Sequence, residues 1–199
     1  MLAGGRARRL GGVDKPGLEV GGRTLAAAVV SAARQAGAAR IVVVGPYRPG
    51  LGGELTEARG APVEFTSERP PGAGPVPAVR AGLELVTEQW LLLLAADLPF
   101  LTAAVLRDLV GDASLGRGAT LADDLGQPQW LISCWPTAEV RAALAGYVGD
   151  SLRGLLAPLP HDLLAVTPAP GDPPYWLDCD TPHDVAAATR WRTGQQNRR

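Results

Sequence analysis

Apolar and polar positions along the chain follow two periods in turn, and that alternation predicts the architecture. The run Arg40–Gly45 (RIVVVG) is continuously apolar and β-branched, and Trp90–Ala96 (WLLLLAA) is the most apolar stretch of all. Short runs without polar alternation predict strands covered on both faces, as in a parallel sheet. Shorter apolar segments predict further strands at Pro62–Thr66, Ala119–Ala122, Trp130–Trp135, Asp162–Thr167 and Tyr175–Cys179. Between them, helical spacing predicts helices from Thr24 to about Ala36 with Gly37 as the stop, and from Val76 to Glu88. Three more are predicted at Thr102–Val110, Thr137–Ala145 and Pro182 to about Arg192. At the start, Leu2 and Ala3 lead into a Gly/Arg-rich loop from Gly4 to Arg23. Strand and helix in alternation predict a doubly wound, mostly parallel α/β sheet, in which ligands collect at the carboxyl ends of the strands.

Composition narrows the function classes. With 199 residues, 46% of them hydrophobic, the chain is long enough for one domain with a sizeable core. That domain is read over residues 1–193, with a frayed polar tail (GQQNRR) at 194–199. A net charge of -1 leaves no positive field for nucleic acid or an anionic membrane surface. No apolar run reaches membrane-spanning length, and the charged start MLAGGRARRLGG has no signal-like apolar segment, so a cytoplasmic protein is expected. Cys134 and Cys179 have neither metal-ligand spacing nor scaffold density and read as half-buried thiols. His161 and His183 have no partner at catalytic spacing, which argues against a covalent hydrolase. The tryptophans, Trp130 and Trp135 included, read as core or pocket walls.

Two features carry chemistry. Eighteen of the nineteen basic residues are arginine, and the one lysine is Lys15. A compact ammonium enters a tight phosphate site that a planar guanidinium does not, although a lone surface lysine is the plain alternative. The loop before it, LAGGRARRLGGVD, has glycines that let backbone N–H groups approach an anion, yet lacks the spacing of a P-loop or of a dinucleotide fingerprint. Asp97 closes the WLLLLAA run, where a parallel sheet presents its ligands and where one carboxylate with phosphate oxygens suits Mg2+. Its plain alternative is a helix cap or a strand-end contact with solvent.

LAGGRARRLGGVDKPGLEVGG resembles the signature loop of the molybdenum cofactor guanylyltransferases, the MobA-like nucleotidyltransferases, and AADLPFL resembles their metal-binding segment. The similarity extends from Leu2 to about Arg192, through Glu68–Val76 and the late Asp178–Asp184 block (DCDTPHD). The resemblance implies a single-domain, Rossmann-like nucleotidyltransferase fold. It implies that GMP passes from GTP to molybdopterin with release of pyrophosphate, assisted by Mg2+. Carried over by position, Leu2, Ala3, Gly4 and Gly5 would line the nucleotide, with Gly74 and Pro75 flanking the base and Glu68 beside it. Arg9 and Lys15 would contact phosphates, and Asp14 would orient the loop. Asp97 would hold the metal, joined by Asp180 unless Asp180 only caps the following helix. The resemblance also implies a molybdoenzyme apoprotein or its chaperone as recipient.

Three departures keep alternatives open. The late block carries Asp178 and Asp180 where guanylyltransferases commonly have asparagines, which resembles the cytidylyltransferases and other cofactor nucleotidyltransferases of this fold. Pro128 and Gln129 stand where the family has a His-Pro pair, which leaves the acceptor open. Finally, the chain starts at the signature itself, so the first strand is expected to be truncated, with an upstream start and Met1 standing for a valine read from GTG; the short form as it stands would instead imply a non-catalytic, degenerate member, the alternative outside enzymes.

Overall fold

The computed structural model describes residues 1–4, 14–49, 51, 61–114 and 116–196. Its elements are β1 (Glu19–Val20), β2 (Arg23–Thr24), α1 (Leu25–Gln35), β3 (Ile41–Val44), β4 (Val63–Thr66), α2 (Pro75–Leu83) and β5 (Trp90–Leu94). There follow α3 (Ala103–Ala113), β6 (Gly118–Ala122), β7 (Pro128–Pro136), α4 (Thr137–Gly146), α5 (Leu152–Leu156), β8 (His161–Ala165) and α6 (Pro182–Gln196).

Leu2 makes parallel bridges to Val44 on one side and Ala95 on the other. It thereby joins the parallel β3–β4 pair to the β5-β7-β6-β8 sheet. Of this combined sheet only β7 runs against its neighbours; β6 and β8 pair in parallel. The mostly parallel α/β fold read from the sequence is therefore present. The reversed strand was not foreseen, and the turn before it explains it. Only Asp123–Gln127 separate β6 from β7, too short for a crossover, and a hairpin is the remaining connection. Asp123 shapes it, its carboxylate accepting from Leu125 N at 2.9 Å and Gln127 N at 2.8 Å while Gly126 takes φ 73°.

Each sheet face is covered by its own apolar cluster. One contains Val29, Val43, Leu94, Leu106, Leu109 and Ile132 and involves α1 and α3. The other contains Val79, Leu83, Trp135, Val140 and Leu156 and involves α2, α4 and α5. A third, smaller cluster gathers Val20, Leu25, Phe100, Cys179 and Ala188 with Leu18, Leu177, Val185 and Trp191. It matters for function because it knits the loops after Lys15, after β5 and before α6 to one another.

Several sequence expectations need correction. The segment Tyr175–Cys179 is not a strand: Pro173 and Pro174 have no N–H to give a ladder, Leu177 N turns back onto Pro174 O, and Leu177 and Cys179 face the third cluster. Helix α2 ends at Leu83 rather than Glu88, since Leu85 and Val86 close tight turns onto Gly82 and Leu83 and Arg141 takes the carbonyls of Leu83 and Val86. The hairpin β1–β2 and helix α5 were not anticipated. At the far end α6 continues to Gln196, past the boundary at 193, as a formed helix extends at one hydrogen bond per residue. Both thiols are fully buried rather than half-buried. Burial pushes Cys134 up to about 12 and Cys179 up to about 11. Among the described residues no helix is long and apolar enough to cross a membrane.

Candidate active site

Of the expected residues, Lys15, Asp97 and Asp180 meet beyond the carboxyl end of β5. Lys15 opens a single 3-10 turn, Lys15–Gly17, with Pro16 in its first positions. Its ammonium lies between two carboxylates, donating to Asp180 Oδ1 and pairing with Asp97 Oδ2. The Lys15 side chain is only 15% exposed, so it is not a plain surface lysine. The cap of α3 is Thr102, so Asp97 does not cap that helix, and its side chain is 20% exposed at the strand end.

Asp180 does not cap α6 either. Thr181 and Asp184 form that cap reciprocally, Thr181 N donating to Asp184 Oδ2 at 2.7 Å and Asp184 N to Thr181 Oγ1 at 3.2 Å. Asp180 stays with Lys15, and Asp178 stands beside it. The three carboxylates of Asp97, Asp178 and Asp180 offer oxygens within 4.8 Å of one another. Burial pulls the Lys15 pKa down, but hydrogen bonds and attraction from Asp180 and Asp97 outweigh it and raise the group above the ordinary lysine value. Asp178 is pushed up by burial first and by the charge of Asp180 next, with Lys15 opposing.

A cleft of about 1310 Å³ opens on the β3–β4 side of the same edge. Gly4, Gly45, Thr66, Glu68, Gly72 and Val76 are among its walls. Gly45 has φ 147°, and a Cβ there would lie 2.7 Å from the Ala3 carbonyl carbon, so the two loops approach at a distance only glycine permits. Glu68 is 6% exposed and accepts from Gly72 N at 2.8 Å. A Cβ on Gly4 would come within 3.6 Å of its Oε1. Gly74, at φ 117°, stands before α2 and Pro75 begins it. Leu2 and Ala3 hydrogen-bond to Leu94 O and Val44 O in the bridge between β3 and β5. Gly5, expected to line the nucleotide, and Arg9, expected at the phosphates, lie outside the described residues.

Sequence reading missed Arg48, whose side chain is 11% exposed in the loop after β3. It donates to both oxygens of Asp14 and to Ala3 O. As one arginine among eighteen, in a chain where arginine is the default basic residue, it carried no signal.

A mostly parallel α/β sheet, a cleft at its strand ends and a lysine set among carboxylates beside it define a nucleotidyltransferase-type architecture. Comparison with known proteins narrows this to one family. Residues 1–165 match the model of the MobA-like NTP transferase domain, and the chain belongs to that family of nucleotidyltransferases. A molybdenum cofactor guanylyltransferase of Rhodopseudomonas palustris strain HaA2 is 32% identical over 212 residues, covering 94% of this chain and 88% of the relative. Another, from Acidiphilium cryptum, is 37% identical over 148 residues, covering 71% and 68%. Among solved structures, a nucleotidyl transferase from Methanothermobacter aligns with TM-score 0.77 at 19% identity, covering 98% of this chain and 96% of its own. The molybdopterin-guanine dinucleotide biosynthesis protein A of Archaeoglobus fulgidus aligns with TM-score 0.67 at 18% identity, covering 97% of each chain. These structural likenesses show the shared fold.

Proposed function

We propose that the protein transfers GMP from GTP to molybdopterin in molybdenum cofactor biosynthesis. A phosphate oxygen of molybdopterin attacks the α-phosphorus of GTP, the bond from that phosphorus to the β-phosphate oxygen breaks, and pyrophosphate leaves. The observation that carries the reading is the single lysine of the chain held between Asp97 and Asp180 at the strand ends. Transfer of this kind depends on position and on neutralising charge around phosphorus.

Lys15 is the cation for that charge, kept protonated by its carboxylate neighbours. Leu2, Ala3 and Gly4 form the floor along which the nucleotide lies. Glu68 presents a buried carboxylate able to accept from the amino and imino edge of guanine. Gly74 and Pro75 shape the turn beside the base, Gly5 continues the lining of the nucleotide, and Arg9 adds a cationic contact to the phosphates.

The carboxylates fit Mg2+, since they give hard oxygen donors close enough to share one ion. Asp97 and Asp180 would hold it, and when bound it would offset charge on the transferred phosphate and pyrophosphate. On this reading the work is cytoplasmic, and the dinucleotide product passes to a molybdoenzyme apoprotein or its chaperone. The acidic pair Asp178 and Asp180 supports one second reading, a cytidylyltransferase of the same fold.

Pyrophosphate release by purified protein with Mg2+ and molybdopterin, compared for GTP, CTP and ATP, tests these assignments. Release that needs both GTP and molybdopterin is expected. Release with CTP instead would transfer the assignment to the second reading, and none with any nucleotide would defeat both.

A further inference from the structure

We infer that Arg48 is a positioning residue for Lys15, a clasp that sets the direction from which the lysine enters the site. The inference rests on the proposed role of Lys15 and reaches a residue beyond the Lys15, Asp97, Asp178 and Asp180 cluster. Arg48 Nε donates to Asp14 Oδ2 at 2.9 Å, and a terminal nitrogen donates to Asp14 Oδ1, so the guanidinium fork grips the carboxylate with two bonds. The same terminal nitrogen donates to Ala3 O at 3.0 Å, and the other one to Pro46 O at 3.1 Å. One cation thus ties three backbone segments: the residues bridging β3 and β5, the loop after β3, and the residue directly before Lys15.

On its other side the Asp14 carboxylate fills the space over Gly17, where a Cβ would meet Oδ2 at 2.6 Å. Asp14 O accepts from Gly17 N at 3.0 Å, closing the turn that carries Lys15. The carboxylate, whose side chain is 56% exposed, lies against Arg48 on one side and the 3-10 turn on the other, and it makes no side-chain cap to that turn. Its bonds to Arg48 define its orientation. Since Ala3 also lies in the floor proposed for the nucleotide, the clasp fixes the floor and the lysine relative to each other. Lysine in place of Arg48 could not span these acceptors, because an ammonium has no planar fork.

The composition of the chain offers a direct readout. Lys15 is the only lysine, so protein labelled with 13C-lysine gives one Cε signal. Arg48→Gln and Asp14→Asn, which add no lysine, are compared with the wild type and with the double variant. Each single variant is expected to shift the Lys15 signal toward that of a solvated lysine and to lower kcat for pyrophosphate release about 10-fold or more. The double variant should be no worse than the worse single one, because both act through one linkage. The clasp is overturned if Arg48→Gln leaves the lysine signal in place, whether activity is kept or falls together with the thermal midpoint. Additive effects in the double variant also overturn it. The NMR arm is independent of the reaction: wild-type protein inactive with every nucleotide would count against the proposed function, while the lysine signal would still decide the role of Arg48.

Discussion

At the scale of single residues, the decisive arrangement is a cation shared by carboxylates. Lys15 offsets the mutual repulsion of Asp97, Asp178 and Asp180, and under the proposed function it supplies the positive charge a triphosphate needs. Lys15→Ala is expected to lower turnover about 10²–10³-fold, the usual cost of losing one electrostatic donor to a transition state. Its thermal midpoint should change far less, as read by pyrophosphate release and calorimetry on the same preparation. Asp97→Ala should behave alike, and for either variant a comparable loss of folding would indicate a structural role. The thiols make a second prediction. Cys134 and Cys179 are both buried and held in the protonated form, up to about 12 and about 11, so a thiol reagent at neutral pH should label neither in the native protein and both after unfolding.

At the scale of elements, local sequence specified most boundaries. Thr24 and Thr102 cap α1 and α3 through their hydroxyls, at 3.2 Å to Ala27 N and 3.4 Å to Val105 N. The cap of α6 has functional weight, since the turn that starts this helix also carries Asp180. Thr181→Ala should cost about 1 kcal/mol in a denaturant unfolding series. Its pH dependence has a definite sign. Hydrogen bonds from Thr181 hold the Asp184 carboxyl below its ordinary value. A depressed folded pKa contributes stability above the unfolded pKa and loses it as pH falls through the folded one. The difference between wild type and Thr181→Ala should therefore be constant near neutrality and shrink at the acid end, below the usual carboxylate range. At the end of α2 a distant partner contributed: Arg141, on α4, takes the carbonyls of Leu83 and Val86 and helps to end that helix.

At the scale of the whole molecule, three apolar clusters divide the work. Two hold the sheet, and the third holds the site. Phe100 illustrates the third: it follows Asp97 by three residues, meets Trp191 of α6 edge to face at 5.1 Å, and lies under the Arg192 guanidinium, which also donates to Pro99 O. Phe100→Ala should destabilise the fold by about 3–5 kcal/mol in equilibrium unfolding. If the cluster organises the site as described, the folded fraction should also bind Mg·GTP more weakly by calorimetry, because the loops of Lys15, Asp97 and Asp180 lose their common support.

The sequence by itself determined most of the strand and helix order, the positions of Lys15 and Asp97, and a resemblance specific enough to imply the family. These are properties of periodicity, of chain-wide scarcity and of short contiguous motifs, all of which are local along the chain. Tertiary structure alone decided that Asp180 pairs with Lys15, that Leu177 and Cys179 join a small core with Phe100 and Trp191, and that Arg48 grips Asp14. Each of those outcomes is a choice among partners that are close only after folding. Lys15 and Asp180 are 165 positions apart, and no local pattern records which carboxylate an ammonium will find across that distance.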